Sequence, residues 1–208
     1  MRTFFLLVLL LSVAAASQAK KLSTVAAKAD IIAVIQVDET DYQRGHGIPM
    51  SGEATARVLV AYKGATRGEV LTIRAKGLGA EQCYYPGREN EGPRFLAFLH
   101  EVAPRKHSFD PRIVSGVKPN CALPIFVTAN AAYALRYPID DFAIPKSLVH
   151  DMTFADPYSY VDKNELTQAQ IAAIISRYAA EDTGEHLHYT RGVKLADIRG
   201  LMFPGGDR

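Results

Sequence analysis

The sequence predicts a mainly β protein: a small five-stranded antiparallel barrel followed by a C-terminal α-helix and an irregular tail. Three observations point there. Five short β-prone runs lie between Asp30 and Thr128, separated by glycine- and proline-bearing loops. Two of these runs alternate apolar and polar residues, which is the period of a half-buried strand. A capped helical stripe follows only after the last of them.

The elements come in order. Leu22 to Ala29 (LSTVAAKA) has the composition of a short helix leading into the first strand. Asp30 to Val37 (DIIAVIQV) is a nearly continuous β-branched run, too short for a helix and long enough for a strand. Gly45, Gly47 and Pro49 break any periodicity between Asp38 and Gly52, which predicts a loop. From Glu53 to Ala61, Ala54, Ala56, Val58 and Val60 fall on one side and Glu53, Thr55, Arg57 and Leu59 on the other. Turns at Lys63-Gly64 and Arg67-Gly68 lead to a second alternating run, Glu69 to Arg74, so the two make a hairpin-like pair. Lys76 to Gly92 is a glycine-rich loop, and Arg94 to Leu99 (RFLAFL) is a buried strand. Ala103 to Pro119 is polar and proline-punctuated, and Cys121 to Thr128 is the fifth strand candidate.

Thr167 and Gln170 form a capping-box signature, in which hydroxyl and amide satisfy each other's backbone donors. Ile171, Ile174, Ile175 and Tyr178 continue at helical spacing, so a helix is expected over about 167–180 with an apolar stripe toward the β core. Glu181 to Arg208 is expected to be irregular, ending in Pro204-Gly205-Gly206.

The first residues address the chain. A positive start at Arg2, an apolar run of about 13 residues from Phe4 to Ala16, and small residues at Ser17-Gln18-Ala19 have the layout of a cleavable secretory signal. A membrane span needs roughly 20 apolar residues, so residues 1–19 read as a signal peptide cleaved near Ala19, leaving no span afterwards. The expected location is periplasmic or secreted. Losing Arg2 leaves the mature chain one basic residue short of the 24 in the whole sequence, against 22 acidic ones. So balanced a charge gives no electrostatic reason to expect nucleic acid as a partner.

Cys83 and Cys121 are the two cysteines, and in an oxidising compartment an even pair reads as one disulfide bond. A loop of roughly 38 residues closed in this way stabilises by about 4 kcal/mol in the chain-entropy picture.

Several of these residues carry a resemblance. Ala29-Asp30 before the first strand, Tyr62-Lys63-Gly64 at the end of the second, a short third strand, a cysteine loop and the aromatic strand around Phe95-Leu96-Ala97-Phe98 are similar to the netrin-like domain. That is the OB-fold barrel also seen in tissue inhibitors of metalloproteinases (TIMP-like), here in a secreted bacterial form. The resemblance covers roughly Asp30 to Thr128. It implies an OB-like, netrin-like barrel over residues 20–135, with residues 136–208 as a C-terminal extension. The eukaryotic inhibitors coordinate the protease zinc through an N-terminal cysteine, and no cysteine precedes Cys83, so that wedge does not transfer.

Candidate chemistry is sparse. His186 and His188, flanked by Glu185 and Tyr189, would project to one side of a strand and could share a metal, but a third ligand is missing locally. His100, His107, Ser108 and Asp110 have the types of a hydrolytic site without a Gly-x-Ser-x-Gly elbow. Asp140-Asp141 and Glu181-Asp182 are adjacent carboxylates that diverge on either a strand or a helix. Tyr84, Tyr85 and Arg88 beside Cys83 make a candidate binding face or, equally, a cover for the disulfide. The sequence thus predicts a non-enzymatic binding or interaction module of the cell envelope, one version being a protease-inhibitor-like protein. No cofactor is expected, and another envelope protein is the expected partner. An envelope hydrolase, or a metal-binding protein through His186 and His188, is the alternative.

Overall fold

A computed structural model of the chain describes residues 20–45, 48–76, 92–103, 110–117, 121–139 and 142–205. It opens with α1 (Leu22–Lys28) and continues through five barrel strands: β1 (Ile31–Gly45), β2 (Ile48–Lys63), β3 (Val70–Lys76), β4 (Arg94–Ala103) and β5 (Arg112–Gly116). Their order is β1-β2-β3-β5-β4, and β4 pairs back onto β1, so the sheet closes as an OB-like barrel. All contacts are antiparallel except β3–β5, which is parallel. The barrel is therefore mixed.

The near-continuous apolar runs of β1 and β4 follow from burial on both faces. Ile31, Ala33 and Ile35 lie opposite Leu99, Ala97 and Phe95, and these six fill the barrel with Ala54, Ala56, Leu71, Ile73 and Val114. The intervening Ile32 and Val34 lie opposite Phe98 and Leu96 and face a second core on the outer wall. That outer core is covered by Leu22, Val25 and Ala26 of α1 and by residues from the C-terminal part of the chain.

Those residues correct the expected tail. Beyond the barrel come β6 (Ala122–Pro124), β7 (Phe126–Val127), β8 (Tyr133–Arg136), β9 (His150–Asp151), β10 (Tyr160–Asp162), α2 (Gln168–Ser176), β11 (Ala180–Asp182), β12 (His186–Tyr189), β13 (Arg191–Lys194) and α3 (Leu195–Met202). Strand β6 extends the barrel sheet beside β4; β7-β8-β13-β9 and β10-β12-β11 form two small sheets. Leu195, Ile198 and Met202 of α3 and Val193 of β13 are buried on the outer barrel wall. A third core of Phe126, Phe154, Val161, Ile174, Leu187 and Tyr189 holds the small sheets and α2 together. Residues 193–202 help cover the outer faces of β1 and β4, whereas Leu187 and Tyr189 of β12 belong to the third core. Glycines and short runs hid this in the sequence.

Other expectations shift for physical reasons. The stretch 38–52, expected as a loop, is mostly the far part of the β1–β2 ribbon. Asp38, Glu39, Thr40 and Asp41 are exposed on it, so no apolar alternation marks it. The fifth barrel strand is Arg112–Gly116, where only Val114 is buried, while the Cys121 to Thr128 run splits into β6 and β7. In β2 the register against β1 slips at Leu59 and again at Tyr62, and each slip turns the following residues over. Val60 consequently leaves the face of Val58 and joins the outer core. Helix α2 stops at Ser176, and its capping box is formed as expected. Tyr178, expected on the apolar stripe, instead lies past the helix end at φ 51° and is 81% exposed.

Candidate functional site

Two of the pairs singled out in the sequence, Ala29-Asp30 and Lys63-Gly64, meet at one end of the barrel. Lys63 Nζ donates to the Ala29 carbonyl, and Arg112 donates to the Gly64 carbonyl. Gly64 sits at φ +64°, where a Cβ would overlap the Asp30 carbonyl oxygen, so both conformation and space demand glycine. Arg112 also bridges Glu101 at 2.9 Å and Glu69 at 3.6 Å, and the Glu101 hydrogen bonds raise its pKa. Asp30 accepts from the Glu101 backbone N–H at 3.1 Å and lies 3.4 Å from His100 Nδ1. The backbone donor first, and then His100, hold its carboxyl below the usual value. Each of these charges has a partner, and the cluster fastens strand ends together.

The other predicted residues scatter. Cys83, Tyr84, Tyr85, Arg88, His107, Ser108, Asp140 and Asp141 lie outside the described residues. Cys121 is buried at the barrel's inner core, and its carbonyl accepts from the Phe98 N–H. Among the described residues there is no free cysteine. His100 is separated from Asp110 by chain outside the description and engages Asp30 instead. Glu181 and Asp182 are exposed on β11, Asp182 being held by Lys163.

His186 and His188 do share a face of β12, with Leu187 fully buried on the other. Their cross-strand neighbours are Asp162 for His186, and Tyr160 and Glu181 for His188. The His188 ring stacks on Tyr160 at 4.2 Å and 6°, with its Nε2 buried and without a hydrogen-bond partner. Among the described residues, no group of three or more His, Cys, Asp or Glu is placed to hold a metal ion. His188 thus packs in an aromatic stack at the centre of a small sheet, and His186 is exposed beside it.

What sequence reasoning missed is a groove on the outer barrel wall. It holds about 420 Å3 and is lined by Arg57, Val58, Leu59, Val60, Arg67, Gly68 and Tyr133. That volume falls in the range of small ligand sites. The β2 slip at Leu59 turns Leu59 and Val60 outward as an aliphatic floor, and Tyr133 at the start of β8 packs against the same outer core. Arg57 donates to Asp38 at 3.1 Å. Arg67 is exposed on the β2–β3 turn and has no hydrogen bond or ion pair among the described residues. A smaller cleft of about 240 Å3, lined by Val37, Asp38, Glu39, Thr40, Gly92, Pro93 and Tyr158, has the opposite charge. The described lining of the groove supplies two arginines, a tyrosine and an aliphatic floor. The turn arginine at Arg67 was visible as a charge beside glycine; Tyr133, from far along the chain, carried no signal. The chain matches no protein-family model, no curated protein and no solved structure.

Proposed function

We propose that the chain is a non-enzymatic binding module of the cell envelope, secreted or periplasmic, netrin-like in kind and protease-inhibitor-like in one version. One observation carries this reading. The barrel interior is filled by its own side chains, and a groove of about 420 Å3 lies on the outer wall, with arginines beside an aliphatic floor. Such a surface suits recognition of another molecule more than covalent chemistry, which needs a nucleophile and a base in mutual reach. Ala29-Asp30 and Lys63-Gly64, two of the pairs on which the netrin-like resemblance rests, lie in contact.

The test is affinity capture by the mature protein from envelope extract, reconstitution of any captured partner as a purified pair, and metal analysis of the same sample. A saturable one-to-one complex is expected. Failure to reconstitute one, together with a stoichiometric metal, refutes the module reading.

A further inference from the structure

We propose that the outer groove takes an extended peptide segment of a partner protein, an apolar side chain lying on Leu59 and Val60 and a carboxylate two residues along, on the same side of the strand, pairing with Arg67. This rests on the binding-module reading and names what the module recognises. Three observations converge on it.

The first is an open strand edge. Pairing between β2 and β3 ends at Arg57 opposite Val70. Val58 is then closed off by the turn, donating to the Glu69 carbonyl and accepting from the Gly68 N–H. From Leu59 to Lys63, β2 has a described strand neighbour in β1 alone. A strand edge beside a groove is the arrangement used for β-strand addition, in which main-chain bonds hold the peptide and a pocket reads alternate side chains. The second is the floor: Leu59 and Val60 are only partly buried, and Tyr133 walls them on one side. The third is charge. Asp38 offsets Arg57 at the groove, which leaves Arg67 as its uncompensated cation among the described residues. An extended segment with an apolar residue and an Asp or Glu two positions along matches all three.

The probe is an acetylated, amidated pentapeptide, Thr-Val-Thr-Asp-Thr, with its Asn counterpart, titrated by NMR into the isotope-labelled mature protein. Saturable shifts are expected at the amides of Leu59, Val60, Arg67 and Gly68. The Asp peptide should bind about fivefold tighter than the Asn peptide, the size of one exposed ion pair, and Arg67→Ala should abolish that ratio. Arg67→Lys should restore part of it. Absence of saturable shifts, equal affinity for the two peptides, or saturation of the groove by decanoate but not by peptide overturns the proposal. If the peptides fail while a purified envelope partner binds wild type and Arg67→Ala alike, the groove assignment falls and the module reading stands. If no partner reconstitutes and a stoichiometric metal is present while the peptide ratio holds, the groove assignment stands and the envelope-module reading falls.

Discussion

Replacing Gly64 by alanine separates two costs that are usually mixed. At φ +64° an alanine stands in the left-handed region, which costs about 1 kcal/mol relative to glycine. The new Cβ also overlaps the Asp30 carbonyl oxygen, a backbone atom that cannot rotate aside. Relief requires moving the start of β1 away from the end of β2, which strains the Lys63 bond to Ala29 and the Arg112 bond to Gly64. Overpacking of this kind costs about 1–3 kcal/mol, so Gly64→Ala should lose roughly 3 kcal/mol in all. Gly68→Ala is the internal control: its φ is +85°, but a Cβ there meets open space, so only the conformational cost of about 1 kcal/mol applies. The assay is urea unfolding of the mature protein, comparing midpoints at unchanged slope. In thermal unfolding, a chain of this size should show a drop of about 6–12 °C for Gly64→Ala. Equal losses for the two variants would refute the close-approach argument, and with it the reason given for the Lys63-Gly64 motif.

Further outcomes can be checked on the same protein. Helix α2 ends in a Schellman motif, with the Ala179 N–H donating to the Ile174 carbonyl, the Tyr178 N–H to that of Ile175, and Tyr178 in the left-handed position. Because the Tyr178 side chain is 81% exposed, Tyr178→Gly should stabilise by about 0.5–1 kcal/mol in the urea assay, and a loss would contradict this account of the cap. Ile198→Ala in α3 should cost about 2–4 kcal/mol, since Ile198 is fully buried on the barrel's outer wall; a change below about 0.5 kcal/mol would mean α3 is not part of that core. The Asp30 carboxyl should titrate below its ordinary value of 3.8. Its stabilising contribution is therefore present above that value and lost as pH falls through the lower folded one, which a carboxyl NMR titration of wild type and His100→Ala measures. We propose that Cys83 and Cys121 are joined: a thiol count on denatured, unreduced protein should be near zero, and reduction should destabilise by about 4 kcal/mol. Two reactive thiols would exclude the bond.

The sequence alone determined the apolar stretches of β1 to β4, where α2 would start, and that Lys63-Gly64 would turn the chain. These are local facts. Alternation reports that a side of a strand is buried, a Thr–Gln pair satisfies backbone donors within its own turn, and a glycine at φ +64° is chosen by its own backbone. Where the local signal is weak the reading fails, as at Arg112–Gly116, in which a lone buried Val114 leaves no period to detect. Tertiary structure decided the rest. That β1 and β4 are buried on both faces is written in their composition, but not that α1, α3, β8 and β13 would do the covering. The slip at Leu59 depends on the register of β2 against β1, and a one-residue shift reverses every side chain that follows. The groove exists because that slip, the turn carrying Arg67 and the distant Tyr133 meet in space. A sequence period states that a face must be buried; only the packed chain states against what, and which part of it stays open.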